Sequence, residues 1–395
     1  MKILVVSQYY YPEPFRISDI CESLVERGHD VTVLTGLPNY PEGKVLDDYR
    51  GGKKREEVIN NVRVIRSYEI GRGSNKLKLF LNYISFAVSS SFKTLTMKEK
   101  YDVLLVYQLS PVLMGIPAII YKKKHNRKVL LYCLDLWPAS LAAGGIKDDS
   151  IIYKLFTKVS KWIYNSADSI AVTSSMFKEH LSSNLAVNID VIHHLPQYAE
   201  DLFTENKSII KNEKLNFVFA GNIGEMQSVE TIVKAANQLR EQTNIMFHIV
   251  GDGSNLEECK LLSEKLGLVN IVFYGRRPVS EMPMYYGLAD AMLITLKDNE
   301  IISYTLPGKV QSYMAFRKPI IGAINGETSR VIKEAECGLC CTAENYIGLA
   351  DTIIKFSMSD AKEQMAENSY NYYSNNFRKE KFMLVLENTL INLEA

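Results

Sequence analysis

The sequence contains no run of about 20 uninterrupted apolar residues, so nothing in it reads as a membrane-spanning helix. It opens with MKILVVSQ, which enters a strand directly and lacks the small-residue cleavage site of a secretory leader. Cysteine is sparse. Of the six, at 21, 133, 259, 337, 340 and 341, only Cys337 and Cys340 form a CxxC, and no second pair or nearby histidine completes a zinc site. Buried thiols in a reducing cytosol account for them. The first strand is followed by SQYYYPEPFRISD rather than a GxGxxG turn, which argues against a dinucleotide cofactor. No DxD-type acidic motif stands at a strand end, and Asp148 and Asp149 fall in a polar turn. His193 and His194 are adjacent, so in a strand they face opposite ways and share no ligand. The expectation is therefore a chain that needs no metal and no other cofactor.

What the sequence does have is length and apolar content. Its 395 residues, 47% hydrophobic and 23% charged, describe a globular protein too long for one ordinary core, and two α/β lobes are the natural division. The net charge of +1 hides an asymmetry: residues 1–200 carry 26 Lys and Arg against 20 Asp and Glu, while the remainder carries 20 against 25. A basic first half suits an anionic partner such as a phospholipid surface or a lipid diphosphate. An uneven but solvated surface explains the same numbers. No nucleic acid is expected.

Short β-rich apolar runs alternate with amphipathic stretches along the whole chain. The strand candidates are 2–7, 31–35, 62–67, 102–107, 129–134, 169–173 and 189–193, then 216–220, 246–250, 270–274, 291–296, 319–324 and 338–342. Near-continuous apolar strands alternating with helices imply parallel sheets covered on both faces. Ile17, Ile20, Cys21, Leu24 and Val25 share one helical face, and Gly28 stops that helix. Val229, Ile232, Val233, Ala236 and Leu239 supply its counterpart in the second half. The pattern predicts two Rossmann-like domains with parallel sheets facing an interdomain cleft. Residues 1–200 form the first and 201–373 the second, with the polar stretch 200–214 as linker. A C-terminal helix over 374–395 packs back on the first lobe.

Several strand ends carry candidate chemistry. Phe15 and Arg16 precede a helix N-terminus, where backbone N–H groups and the dipole favour an anion. The loop TGLPNYPEGKV is too long and stiff for a plain connection, and it offers Asn39 and Tyr40. Asp135 follows a buried strand and precedes Trp137 and Pro138; a carboxylate there is a candidate for hydroxyl activation or substrate orientation, or for a helix cap. In the second half, Gly221 and Gly224 allow a tight turn, with Asn222 and Gln227 placed to bond a diphosphate. GDG at 251–253 reads as a plain turn. Arg276 and Arg277 end another strand, where a guanidinium meets a phosphate, stacks on a base, or pairs with a surface carboxylate. Pro307 and Gly308 open a helix beside Lys309, an anion site that needs no metal. Residues 72–100 mix apolar and aromatic side chains with basic ends, and fit either a helix lying on a membrane or one packed on its own lobe. The basic run KKKHNRK at 122–128 suits either reading, most simply as a solvated helix end.

Taken in order, RGHDVTVLTG (27–36), AGN (220–222), FYGRRP (273–278), LAD (288–290) and YMAFRKPII (313–321) resemble the GT4 family of retaining GT-B glycosyltransferases over nearly the whole chain. TGLPNYPEGKV, DLWPASL and GNIGEMQSVETIVKAA narrow the resemblance to bacterial O-antigen and capsule enzymes similar to L-fucosamine or colanic-acid fucosyl transferases. The resemblance implies a nucleotide sugar held mainly by the second lobe and a lipid-linked saccharide acceptor held mainly by the first, by Asn39, Tyr40 and Trp137. The expectation is a cytoplasmic enzyme, peripheral on the inner face of the plasma membrane, with 72–100 as the candidate contact beside its alternative as a helix packed on its own lobe. Departures from the family pattern are clear. The diphosphate-gripping Arg and Lys are replaced by Asn222 and Gln227; the second acid of the E-x7-E motif reads Ser312, with Glu300 a displaced candidate for the first. A histidine before the lobe-one aspartate reads Leu134, leaving Asp135. Phosphate binding then shifts to Arg16, Lys309 and one of Arg276 and Arg277, and the lost acids suit a donor lacking some hydroxyls, such as a deoxy-amino sugar. A nucleotide-sugar 2-epimerase and a non-catalytic nucleotide-sugar binder share the fold and remain as alternatives.

Overall fold

Strands buried on both faces need apolar side chains at every position, and the runs that meet this condition form the two sheets. The computed structural model describes residues 1–143, 145–203 and 213–394. It divides into one unit of Met1–Leu195 with Met383–Ala395, and a second of Pro196–Phe382. The linker stretch at 200–214 lies largely outside the described residues.

In the first unit the strands are β1 (Lys2–Val6), β2 (Asp30–Thr35), β3 (Glu56–Ile59), β4 (Val62–Arg66), β5 (Val103–Gln108), β6 (Lys128–Cys133), β7 (Ser169–Val172) and β8 (Ile192–His194). They form one sheet in the order β3-β4-β2-β1-β5-β6-β7-β8. All neighbours are parallel except β3 and β4. Val5 lies opposite Val33 on one side and Leu105 on the other, and all three are buried. Ile17, Ile20, Cys21 and Leu24 bury the inner face of the helix Ile17–Glu26 as their spacing requires.

The periodicity missed β3, because EEVI carries two charges and leaves Val58 exposed; it is a charged edge ribbon rather than a core strand. The apolar run at 189–193 is also shorter as a strand than expected, since Ile189–Val191 form a 3-10 turn before β8. The stretch 374–395 is not a single helix: one helix spans Lys362–Asn376 and another Lys379–Glu394. The Glu387 carboxylate accepts from Arg27 Nη1 at 2.9 Å and bonds His29 Nε2 at 2.8 Å, which fastens the last helix to the first unit.

The second unit holds β9 (Leu215–Ala220), β10 (Ile245–Val250), β11 (Ile271–Gly275), β12 (Ala291–Thr295), β13 (Ile320–Ala323) and β14 (Gly338–Cys341). Their order, β11-β10-β9-β12-β13-β14, is parallel throughout. The period-two alternation of a strand divides its core into two. Phe217, Phe219, Leu293 and Ile321 face one layer of helices, while Val218, Ala220, Met292 and Ile320 face the other. Chain order reverses between β9 and β12 here, and between β1 and β5 in the first sheet. Ligands of parallel α/β sheets sit beyond the strand carboxyl ends at such switch points.

Candidate functional site

In the second unit, β12 pairs with β9 only at Phe217 and Val218, so the two strands part before β9 ends. Tyr313, from the helix Gly308–Ala315, fills the gap. Its hydroxyl donates to Ala220 O at 3.0 Å and accepts from Ala220 N–H at 3.2 Å. This clasp holds the first turn of the helix at the strand end. Gly221 follows with φ +140, a conformation that L side chains rarely adopt, and a Cβ there would come within 2.8 Å of Lys309 Nζ. Gly251 packs its Cα against the Gly221 carbonyl, so GDG is more than a turn: it backs the loop.

Lys309 therefore stands over the β9 loop, its Nζ 3.9 Å from the centroid of the Phe219 ring. Among the described residues no carbonyl or carboxylate accepts a hydrogen bond from it. Lys318 provides the contrast, donating to Gly287 O and Ala289 O as a structural lysine does. Burial without a counter-charge pushes the Lys309 ammonium down to about 7. An anion arriving at this point would restore its charge, and the free N–H groups of the helix start lie beside it.

The other second-unit candidates fare differently. Pro307 occupies the N-cap rather than the first turn, and Gly308 begins the helix. Asn222 Nδ2 donates to Gln227 Oε1 at 2.8 Å, and Gly224 N–H donates to the same oxygen at 3.1 Å; the pair holds the loop together before it can hold a ligand. Ser312 is buried, with its hydroxyl spent on Gly308 O, so it does not stand in for a sugar-binding acid. Glu300 is exposed on a one-turn helix and accepts from the Tyr304 hydroxyl at 2.5 Å. Arg276 and Arg277 are exposed after the edge strand β11, and Arg277 Nε donates to Tyr274 O.

In the first unit the loops after β1, β2 and β4 converge on two carboxyls that the sequence reading passed over. Glu13 accepts from the N–H groups of Tyr10, Asn39 and Tyr40 at 3.3, 2.8 and 2.7 Å. Burial raises it to about 7, against the lowering effect of these bonds. Glu69 is fully enclosed, bonded by Gln8, Asn39 and Asn82, and burial with the nearby Glu13 holds it well above the usual carboxylate range. Asn39 is a correction to the acceptor assignment. Its amide donates to Leu37 O and Glu69, its carbonyl accepts from Arg72 N–H, and the side chain is inaccessible. Phe15 likewise turns inward, stacking on Tyr9 at 5.0 Å and meeting Tyr40 at 5.1 Å. Arg72 lies over the Tyr40 ring at 5.5 Å, and Tyr40 keeps part of its surface open. Arg16 is the N-cap of its helix and half-buried.

Asp135 lies two residues beyond β6 and remains partly exposed. The Ser140 hydroxyl and Trp137 Nε1, the latter at 3.2 Å, bond its carboxylate. Burial outweighs these bonds and raises its pKa. Trp137 Nε1 also donates to Ser110 Oγ at 2.8 Å, and its ring packs edge-on against Tyr83 and Phe156. Trp137 is therefore buried scaffolding that aims Asp135, not an open platform for an acceptor sugar. Ser110 and Tyr83 join the site from β5's end and from a distant helix, and no local motif announced either.

The helix Lys76–Thr96 packs on its own unit, as one reading of 72–100 has it, and leaves an apolar stripe exposed. It buries Asn82, Phe86, Ala87, Ser90 and Thr94 on its own unit, while Leu77, Phe80, Leu81, Val88, Phe92 and Leu95 stay exposed. Lys124 in the basic run donates to Leu95 O and Met97 O, and Lys122 and Lys128 pair with Asp168. Much of that run is thus used internally. Among the described residues no helix is long and apolar enough to cross a membrane.

Comparison with known proteins places both halves. A model described as "Glycosyl transferase 4-like domain" matches residues 15–196, and "Glycosyl transferases group 1" matches 201–372. WcaI of Escherichia coli (strain K12), named as a colanic acid biosynthesis glycosyl transferase, is 25% identical over 371 residues, covering 89% of this chain and 88% of its own. Among solved structures, sucrose-phosphate synthase from Thermosynechococcus elongatus superposes with a TM-score of 0.77 at 17% identity, covering 99% of this chain and 98% of that one. Anabaena HepE, solved with UDP and glucose, gives 0.70 at 14% identity with 99% of each chain covered. With a glycosyltransferase model over each of its two parallel-sheet domains and this fold throughout, the chain is a GT-B glycosyltransferase.

Proposed function

We propose that this enzyme transfers a sugar, with retention of configuration, from a nucleoside diphosphate donor to a lipid-linked saccharide in the synthesis of a surface polysaccharide. The observation that carries the reading is Lys309: an ammonium without a hydrogen-bond acceptor or ion-pair partner among the described residues, held over Gly221 at the second sheet's switch point. In this reading the donor's diphosphate meets Lys309 and the N–H groups of Gly308 and Lys309 at the helix start, which supply the stabilisation of the leaving group without a metal ion. Uridine is the favoured base, and a deoxy-amino sugar such as N-acetyl-L-fucosamine the favoured donor sugar, since Ser312 and Glu300 offer little to grip further hydroxyls. The names of WcaI and of the HepE complex support the polysaccharide and UDP parts.

Asp135, aimed by Trp137 and Ser140, orients the acceptor hydroxyl or stabilises positive charge developing on the sugar. The hydroxyl attacks the anomeric carbon from the face the diphosphate leaves, and a donor phosphate oxygen takes its proton. The apolar stripe on Lys76–Thr96, flanked by Lys76, Lys78, Lys98 and Lys100, lies in the plane of an anionic membrane surface on the cytoplasmic side.

A panel of UDP- and GDP-sugars, incubated with a lipid-diphosphate saccharide and excess chelator and read by mass spectrometry, tests the reading. Mass transfer to the acceptor from a UDP-sugar is expected. Donor isomerised without acceptor would make the chain a 2-epimerase, and nucleotide binding without transfer would make it a binder.

A further inference from the structure

The chemistry assigned to Asp135 uses its carboxylate, but its main chain is held by a separate polar network. Leu134 N–H donates to Gln108 O at 2.9 Å, and past that point side chains take the place of the β5–β6 ladder. Gln108 Nε2 donates to Asp135 O at 2.9 Å and to Leu109 O at 2.8 Å. Tyr164, from the helix Ile151–Ser166, donates its hydroxyl to Gln108 Oε1 at 3.1 Å and accepts from Trp137 N–H at 3.3 Å. Cys133 Sγ donates to Asp135 O at 3.4 Å, and the Tyr164 hydroxyl lies at the same distance from that carbonyl.

The chemistry of these groups leaves little freedom. A primary amide has two N–H donors, and Gln108 spends them on two carbonyls, which turns its oxygen toward Tyr164. Gln108, Cys133 and Tyr164 are all fully buried, so each bond lost here would leave a polar group without water to replace it. Burial also pushes the Cys133 thiol up to about 12 and the Tyr164 hydroxyl well above its usual range, so both keep their protons and remain donors at neutral pH. The three side chains come from β5, β6 and a helix, yet they converge on two peptide groups, Asp135 O and Trp137 N–H. These bracket the carboxylate and the indole that aims it. A reacting group has to be held within about half an ångström of its working geometry, and this grip on the turn supplies that restraint.

We propose that Tyr164 and Gln108 are positioning residues of the transfer reaction, which fix the turn Asp135–Trp137 so that the carboxylate keeps one orientation toward the acceptor hydroxyl. The assignment rests on the role given to Asp135 under Proposed function.

A double-mutant cycle on the full chain tests it, with kcat and KM measured on the donor and acceptor that the sugar-nucleotide panel identifies. Tyr164→Phe keeps the ring and removes only the hydroxyl; kcat is expected to fall by about tenfold or more with donor KM within about twofold. In an Asp135→Asn chain the same change is expected to cost less than about threefold, because the group it positions is already disabled. The amide of Trp137 is expected to exchange at least about tenfold faster in Tyr164→Phe, while that of Leu131, inside the β5–β6 pairing, keeps its protection. Should Tyr164→Phe fail to fold, Gln108→Met, which keeps side-chain length without the amide, carries the same kinetic expectations. An equal loss of kcat in both backgrounds would make Tyr164 a purely structural residue and overturn the proposal. So would a kcat within about twofold of wild type, or a Trp137 amide that exchanges no faster. If Asp135→Asn abolishes transfer while Tyr164→Phe does not slow it, the positioning inference fails and the reading of Asp135 stands. If Asp135→Asn itself turns over as the wild type does, the role of Asp135 fails, and the inference with it.

Discussion

Lys309 makes a quantitative prediction, because its charge and its ligand are coupled. Free in the folded chain it titrates near 7, pulled down by burial without a counter-charge. A diphosphate beside it favours the protonated form, so its pKa returns toward the ordinary value of 10.5 when the ligand binds. At pH 8 a group of pKa about 7 is only about one-tenth protonated, so binding UDP should take up about 0.9 proton. At pH 6 the site is already charged and uptake should fall to about 0.1. Affinity follows the same linkage: between pH 7 and pH 9 the dissociation constant should rise by about fiftyfold, with most of the change above pH 8. Calorimetry in two buffers of different ionisation enthalpy counts the protons directly. Lys309→Met should remove both the uptake and the pH dependence, and should weaken UDP at pH 7 by about tenfold or more. Proton uptake that is flat from pH 6 to 8, or a Lys309→Met chain that binds UDP within about threefold of wild type, refutes the argument.

Three further outcomes follow from the geometry. Gly221→Ala puts a Cβ 2.8 Å from Lys309 Nζ and demands a backbone conformation that costs about 1–3 kcal/mol, so UDP affinity should drop by about tenfold or more while acceptor binding holds. Asp135→Asn keeps the Trp137 and Ser140 contacts in reach but removes the charge; kcat should fall by about 100-fold or more with donor KM little changed, and turnover within a few-fold of wild type would remove Asp135 from the chemistry. Glu13 holds its proton more tightly folded (about 7) than its ordinary value of 4.5 allows. Its contribution is therefore fully present below about pH 4.5 and lost as pH rises through about 7, a change of about 3 kcal/mol, and Glu13→Gln should flatten the fall in urea stability between pH 5 and pH 8.

The fold was largely legible because its strands are buried on both faces and leave unbroken apolar runs; β3 escaped because a charged edge needs no such run. The site was legible only in part. Gly221 and Lys309 each stood out locally, as a turn glycine and as a lysine at a helix start, but their contact crosses a long sequence gap that the Tyr313 clasp and the packing of Val310 and Met314 close. Asn39 and Trp137 were misjudged for a physical reason. Loops that carry few ladder bonds must satisfy their backbone somehow, and these polar and aromatic side chains turn inward to do it. Glu13 was invisible for the complementary reason, since its partners are main-chain N–H groups that any sequence would supply.

The Tyr313 clasp has a consequence for measurement. Ala220 N–H is protected by a side-chain hydroxyl on the helix that carries Lys309, rather than by a neighbouring strand. Its hydrogen-exchange rate is therefore a local gauge of how firmly that helix is docked. In a Tyr313→Phe chain the amide at 220 should exchange faster while those at Phe217 and Val218, still in register with β12, keep their protection. One amide thus separates a loosened phosphate site from a loosened sheet, before any sugar is transferred.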